Sequence, residues 1–146
     1  MLQQITMATK FFIDSNIWIY LFAGEDKRKC SAVKHFIEEC SVNGVVFIVS
    51  YQVINEVSTV LKKQYFAETE IRFIIETMLE ICIVQDFSKD LLLSASVLRE
   101  KYSFSFWDSL IIASAIYSGC SKLISEDMQN GQKIGEVIIN NIFDVV

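Results

Sequence analysis

The chain has 146 residues, 52% of them hydrophobic, with a formal net charge of −5. One domain of that length buries about two-thirds of its unfolded surface, and no apolar run approaches the roughly 20 residues of a membrane-spanning helix. The acidic balance counts against a DNA-binding module that grips through a basic face, and counts less against an enzyme that touches nucleic acid transiently while bound divalent cations reverse the local field.

In chain order, Phe11-Phe12-Ile13 predicts a short strand ending at Asp14, and the spacing of Ile17, Trp18, Tyr20 and Leu21 predicts a helix directly after it. An apolar stretch that meets an acid after three residues does not read as a signal peptide, so the expectation is a cytoplasmic protein. Met7 stands beside Met1 as an alternative start. Helical spacing continues through Ala32, Val33, Phe36, Ile37 and Cys40 until Asn43-Gly44 stops it before a strand over 45–49. Ser50 caps a third helix, in which Val53, Ile54, Val57, Val60 and Leu61 form one apolar stripe with Glu56 beside it.

A helix over 71–79 and a strand over 81–84 follow, then a helix capped by Ser88 that carries Leu91, Leu92, Ala95, Leu98 and Tyr102. From Phe106 to Tyr117 almost every position is apolar, which predicts a helix buried on most sides and interrupted early by Asp108. Gly119 ends it before a strand over 122–125, and a last strand fits 137–139. This alternation predicts an α/β three-layer sandwich, an about five-stranded parallel sheet with helices on both faces. The expected extent is a single domain over 1–146 with its core at about 10–144. In such sheets ligands bind at the C-terminal ends of the strands, where Asp14 and the Glu126-Asp127 pair both fall.

Cys30, Cys40, Cys82 and Cys120 lie far apart in apolar patterns without a Cys-x-x-Cys pair, and read as reduced core residues. The single histidine, His35, excludes a two-histidine ribonuclease site and a multi-histidine zinc centre, and reads as a helix-surface residue.

Four acids stand where apolar patterning does not predict charge: Asp14, Glu56, Asp108 and Asp127. Each has a structural explanation taken alone. Asp14 is placed as an N-cap, Ser105-x-x-Asp108 matches a capping box, Glu56 fits a solvated helix position and Asp127 fits a turn. Taken together they say more, because clustered carboxylates raise one another's pKa unless a cation neutralises them. Oxygen ligands without histidine or thiolate favour Mg²⁺ or Mn²⁺, whose retained waters suit attack on phosphorus.

In order along the chain stand Phe12-Ile13-Asp14-Ser15-Asn16, Asn55-Glu56-Val57, Asp108-Ser109-Leu110-Ile111-Ile112-Ala113-Ser114-Ala115 and Leu123-Ile124-Ser125-Glu126-Asp127-Met128. Each motif is weak alone, but the four in this order resemble the PIN-domain family from about Lys10 to Asp144. The resemblance implies an acidic pocket of Asp14, Glu56, Asp108 and Asp127 holding Mg²⁺ or Mn²⁺, oriented by Ser15 and Asn16 and backed by Ser125 and Glu126. It implies cleavage of RNA. Compact chains of this kind are similar to VapC-type toxins, which implies a cognate antitoxin partner and a homodimer.

Haloacid dehalogenase phosphatases need a second aspartate where this chain has Asn16, and receiver domains need paired acids at the first strand and a late lysine. The competing reading from another class is a PIN-like scaffold that binds RNA or protein without cutting. Lys27-Arg28-Lys29 and Lys62-Lys63 are the candidate phosphate contacts, each also readable as a solvated charge cluster.

Overall fold

The computed structural model describes residues 7–144, so Met1 and both ends of the expected 1–146 span lie outside it, while the alternative start, Met7, is its first described residue. The elements run β1 (Lys10–Ile13), α1 (Ser15–Ala23), α2 (Lys27–Val42), β2 (Val46–Ser50), α3 (Tyr51–Lys63), α4 (Glu68–Ile81), β3 (Cys82–Gln85), α5 (Lys89–Lys101), α6 (Phe106–Tyr117), β4 (Lys122–Ile124), β5 (Lys133–Ile134) and β6 (Val137–Asn140). No helix among the described residues is long and apolar enough to cross a membrane.

The strands form one sheet in the order β3-β2-β1-β4-β6-β5. Five are parallel, as expected, and the sixth, β5, is antiparallel to β6. The apolar run of β1 follows from its central place: Phe12 lies between Ile48 of β2 and Leu123 of β4, and all three are buried. Helix α1 packs on both α2 and α3, and α3 on α4, whereas α5 and α6 form a separate pair around Leu91, Ala95, Leu110 and Ala113. The result is the predicted three-layer arrangement.

From β1 the chain winds outward through β2 to β3, then crosses to β4 on the other side of β1. The reversal opens a crevice at the C-terminal ends of β1 and β4. There the Asp14 amide donates to the Ile124 carbonyl at 3.0 Å, extending the ladder one residue past the strand.

Ser50 and Ser88 cap α3 and α5 by accepting from Val53 and Leu91 amides. Gly44 and Gly119 take the left-handed conformation, φ +70° and +74°, that ends a helix cheaply without a Cβ. All four cysteines are free; Cys40, Cys82 and Cys120 are buried and Cys30 half-buried. Burial pushes the Cys82 and Cys120 thiols up to about 12.

Three expectations need correction. Helix α4 starts at Glu68 rather than near residue 71, because the Glu70 carboxylate accepts from the Ala67 amide and fixes an earlier turn; it also runs to Ile81, displacing β3 by one residue. The apolar helix α6 is buried only at its centre, with Phe106, Trp107 and Tyr117 more than half exposed. Strand β5 was not expected: two residues between Gly131 and Gly135 are too short to show alternation.

Candidate active site

Asp14 lies at the floor of the crevice, 6% exposed. Its Oδ1 accepts from the Ser15 amide at 2.8 Å, and its Oδ2 accepts from the buried Ser125 hydroxyl at 2.8 Å and, weakly, from the Asn16 amide group at 3.5 Å. An ordinary N-cap accepts from the second or third helical amide. Asp14 takes only the first, so its carboxylate is turned into the crevice more than along the helix.

Asn16 ties the β1 and β4 ends together. Its Nδ2 donates to Asp127 Oδ2 at 3.0 Å and lies 3.4 Å from Ser125 Oγ, while its Oδ1 accepts from the Glu126 amide at 3.3 Å. Glu56 approaches from α3, where its Oε2 accepts from the Ser15 hydroxyl at 2.7 Å and its Oε1 from Gln52 Nε2 at 2.9 Å. In α6 the Ser105 hydroxyl accepts from the Asp108 amide at 3.1 Å, but no bond returns from the Asp108 carboxylate. Only half of the capping box forms, which leaves that carboxylate free of the role that would explain it away.

Burial raises the Asp14 carboxyl to about 6 against the hydrogen bonds from Ser125 and Ser15, and the negative charges of Glu56 and Asp108 add to the rise. Asp14 therefore feels the charges of Glu56 and Asp108 across the crevice, and the exposed Asp127 is tied to the same place through Asn16. Glu126 points its side chain elsewhere. Tyr20 donates to its Oε1 at 2.6 Å and Lys29 to its Oε2 at 2.6 Å, so only its backbone amide serves the site. Lys29 is thereby occupied, and Lys62 pairs with Glu68 at 3.0 Å.

The PIN domain family matches the sequence over residues 11–130. The chain belongs to the PIN-domain family. No curated protein sequence matches it. Among solved structures it is similar to a chain of VapBC2 from Rickettsia felis bound to a promoter DNA fragment, with a TM-score of 0.71, 20% identity, and coverage of 91% of this chain and 98% of that one. A toxin–antitoxin complex from Klebsiella pneumoniae gives 0.69 at 22% identity, covering 92% and 98%. VapC20 from Mycobacterium tuberculosis, described as a Sarcin-Ricin loop cleaving toxin, gives 0.60 at 20% identity, covering 77% and 86%.

The donor set of this PIN domain suits a hard divalent cation. The four carboxylates offer only oxygen, and no basic side chain lies among the groups that set the titration of Asp14. Among the described residues no three acidic, histidine or cysteine side chains already converge as a ready-made cage.

Sequence reasoning missed Gln52. It is 8% exposed and bridges Glu56 to the Trp107 carbonyl, with its Nε2 at 2.9 and 3.4 Å from the two acceptors. Four residues before Glu56 on one helix, it faces the same side, which was the available signal.

Proposed function

We propose that this protein is a divalent-metal-dependent endoribonuclease that hydrolyses RNA phosphodiester bonds as the toxin of a toxin–antitoxin pair. The carrying observation is the buried Asp14 carboxyl, raised to about 6 by burial and by Glu56 and Asp108, with no basic side chain among the described residues set against it. A buried carboxylate with half-buried acids beside it and no counter-ion is costly to ionise, and a bound cation relieves that cost.

In this reading Asp14, Glu56, Asp108 and Asp127 hold Mg²⁺ or Mn²⁺, which when bound supplies an activated water and neutralises charge at the phosphate. The chain's own contribution is orientation. Ser15 and Gln52 fix both oxygens of Glu56, Ser125 and the Ser15 amide fix Asp14, and Asn16 holds the Asp127 carboxylate against the β1 end. Membership of the PIN family and the likeness in fold to VapC20 support RNA as the substrate. The likeness to chains of toxin–antitoxin complexes supports a cognate antitoxin as partner.

The test is cleavage of a mixed pool of structured RNAs in Mg²⁺, Mn²⁺ or excess chelator, with wild type and Asp14→Ala side by side. Cutting that needs metal and disappears in the variant is the expected result. Protein that is inert with every metal yet binds RNA equally in chelator would overturn the nuclease in favour of a binding scaffold.

A further inference from the structure

Beside the carboxylates runs a groove of about 740 Å³, within the roughly 300–1,000 Å³ range of ligand sites. Ser15 and Glu56 line it, so whatever it holds lies next to the acid cluster. Three aromatic side chains face it and remain open to solvent: Tyr51 at the start of α3, Phe87 before α5 and Trp107 in the first turn of α6, 48%, 37% and 61% exposed. Trp107 is braced. Phe106 meets it edge-on at 5.2 Å, and the Arg99 guanidinium lies 4.5 Å from the Phe106 ring centre.

The wall contributed by Gln52 carries an unpaired atom. Its Nε2 donates to both Glu56 and the Trp107 carbonyl, which fixes the amide orientation, while the opposite atom, Oε1, is buried without any hydrogen-bond partner. Buried polar atoms in folded proteins nearly always have a partner, so an orphan acceptor on a groove wall marks the place of a missing donor. None of the residues lining the groove is basic, and the chain is acidic as a whole. The groove's own side chains therefore offer no cation to grip a polyanion by its phosphates. It can be held by its bases, because every base has a face to stack and an N–H edge to offer.

Resting on the nuclease reading above, we propose that this groove is a nucleobase subsite, stacking an unpaired base on Trp107 between Tyr51 and Phe87, with Gln52 Oε1, closed to solvent in the empty groove, accepting from the N–H edge of that base once a small shift of the wall uncovers it. A base stacked on a protein ring has left its duplex, so the subsite selects single-stranded or looped RNA beside the cut. An apolar helix of a protein partner would cover the same rings but leave Gln52 Oε1 without a donor.

The experiment titrates the full-length protein in chelator with oligo-A, oligo-C and oligo-U, and with an abasic ribose-phosphate chain of the same length, following tryptophan fluorescence. Trp18 is fully buried and gives a constant background, so Trp107 is the reporter. The base-bearing oligomers are expected to quench it and the abasic chain is not. Raising salt from about 50 to 200 mM should weaken binding less than about threefold, against losses of roughly 10³ or more for proteins that rely on many phosphate contacts. Trp107→Ala and Tyr51→Ala, both at well-exposed positions that the fold tolerates, should each raise KM for RNA roughly tenfold with kcat unchanged.

Equal binding of the abasic chain, a steep salt dependence, or an unchanged KM in both variants while RNA is still cut would overturn the subsite and leave the nuclease standing. Quenching by bases with no cutting in any metal would do the reverse. Quenching by an amphipathic helical peptide but by no oligonucleotide makes the groove a protein-docking site and ends the base reading.

Discussion

Asp14 and Glu126 lie at the same edge of the sheet, one residue past β1 and two past β4, yet the chain surrounds them in opposite ways. Glu126 has a cation and a hydroxyl on its two oxygens, and although burial pushes its carboxyl up, Lys29 and Tyr20 hold it below the ordinary range. Lys29 in turn is raised by Glu126 and then by Tyr20, and lies 4.6 and 5.2 Å from the ring centres of Tyr20 and Phe143. Asp14 has burial and two neighbouring acids, and is driven to about 6. A fold able to neutralise one carboxylate with its own side chains leaves the other for something from outside. Position at the edge thus does not separate the two acids; the presence or lack of a counter-charge does.

The largest expected effect is on cleavage. Asp14→Ala should reduce it at least ~100-fold, as loss of a group that stabilises charge in the transition state does, with the fold retained by circular dichroism. Glu126→Gln should reduce it only a few-fold, since its side chain acts on the flank. Initial rates on one RNA compare the two directly, and equal losses would break the contrast.

Next comes stability in chelator, where the sign follows from proton uptake. Above pH 3.8 the unfolded chain has released the Asp14 proton, while the folded chain keeps it until about pH 6. The folded state therefore binds more protons across that window, and stability falls as pH rises through it, by roughly 3 kcal/mol for a shift of this size. Asp14→Asn should abolish the fall and raise the melting temperature of the metal-free protein at pH 8. Mn²⁺ should raise the melting temperature of wild type and not of the variant, because a ligand stabilises only the state that binds it. A wild type indifferent to Mn²⁺ would count against the cation.

The same contrast shows what the sequence could carry. Apolar strands ending in acids are local patterns, so β1, β4 and the neighbourhood of Asp14 and Asp127 were legible. The rotamer of Glu126 was not. It is set by Tyr20 and Lys29, 106 and 97 residues away, and no local pattern separates an acid facing the crevice from one turned to a lysine. Gln52 was hidden for a similar reason, its bond to the Trp107 carbonyl joining elements 55 residues apart. The exposed start of α6 misled because Phe106 and Trp107 look like core in a run of apolar residues. In sequence, a ring kept for packing and a ring kept open are identical.

The smallest expected effect lies in the Glu126 flank. A carboxyl held below its ordinary pKa adds stability that is present above pH 4.5 and lost as pH falls through its folded value, the opposite direction to Asp14. Lys29 and Glu126 side chains are 31% and 22% exposed, so the pair is only partly screened, and desolvation offsets much of its attraction. Lys29→Ala should lower the melting temperature slightly at pH 7, less so in 1 M salt, and a double-mutant cycle with Glu126→Gln should return a small favourable coupling. Cleavage should fall a few-fold, because the Glu126 amide and Asp127 are both held by Asn16 and depend on the same loop. A loss in Lys29→Ala as deep as that in Asp14→Ala, with Glu126→Gln unaffected, would mean that the ammonium leaves Glu126 to meet the RNA, and the flank would then belong to the site.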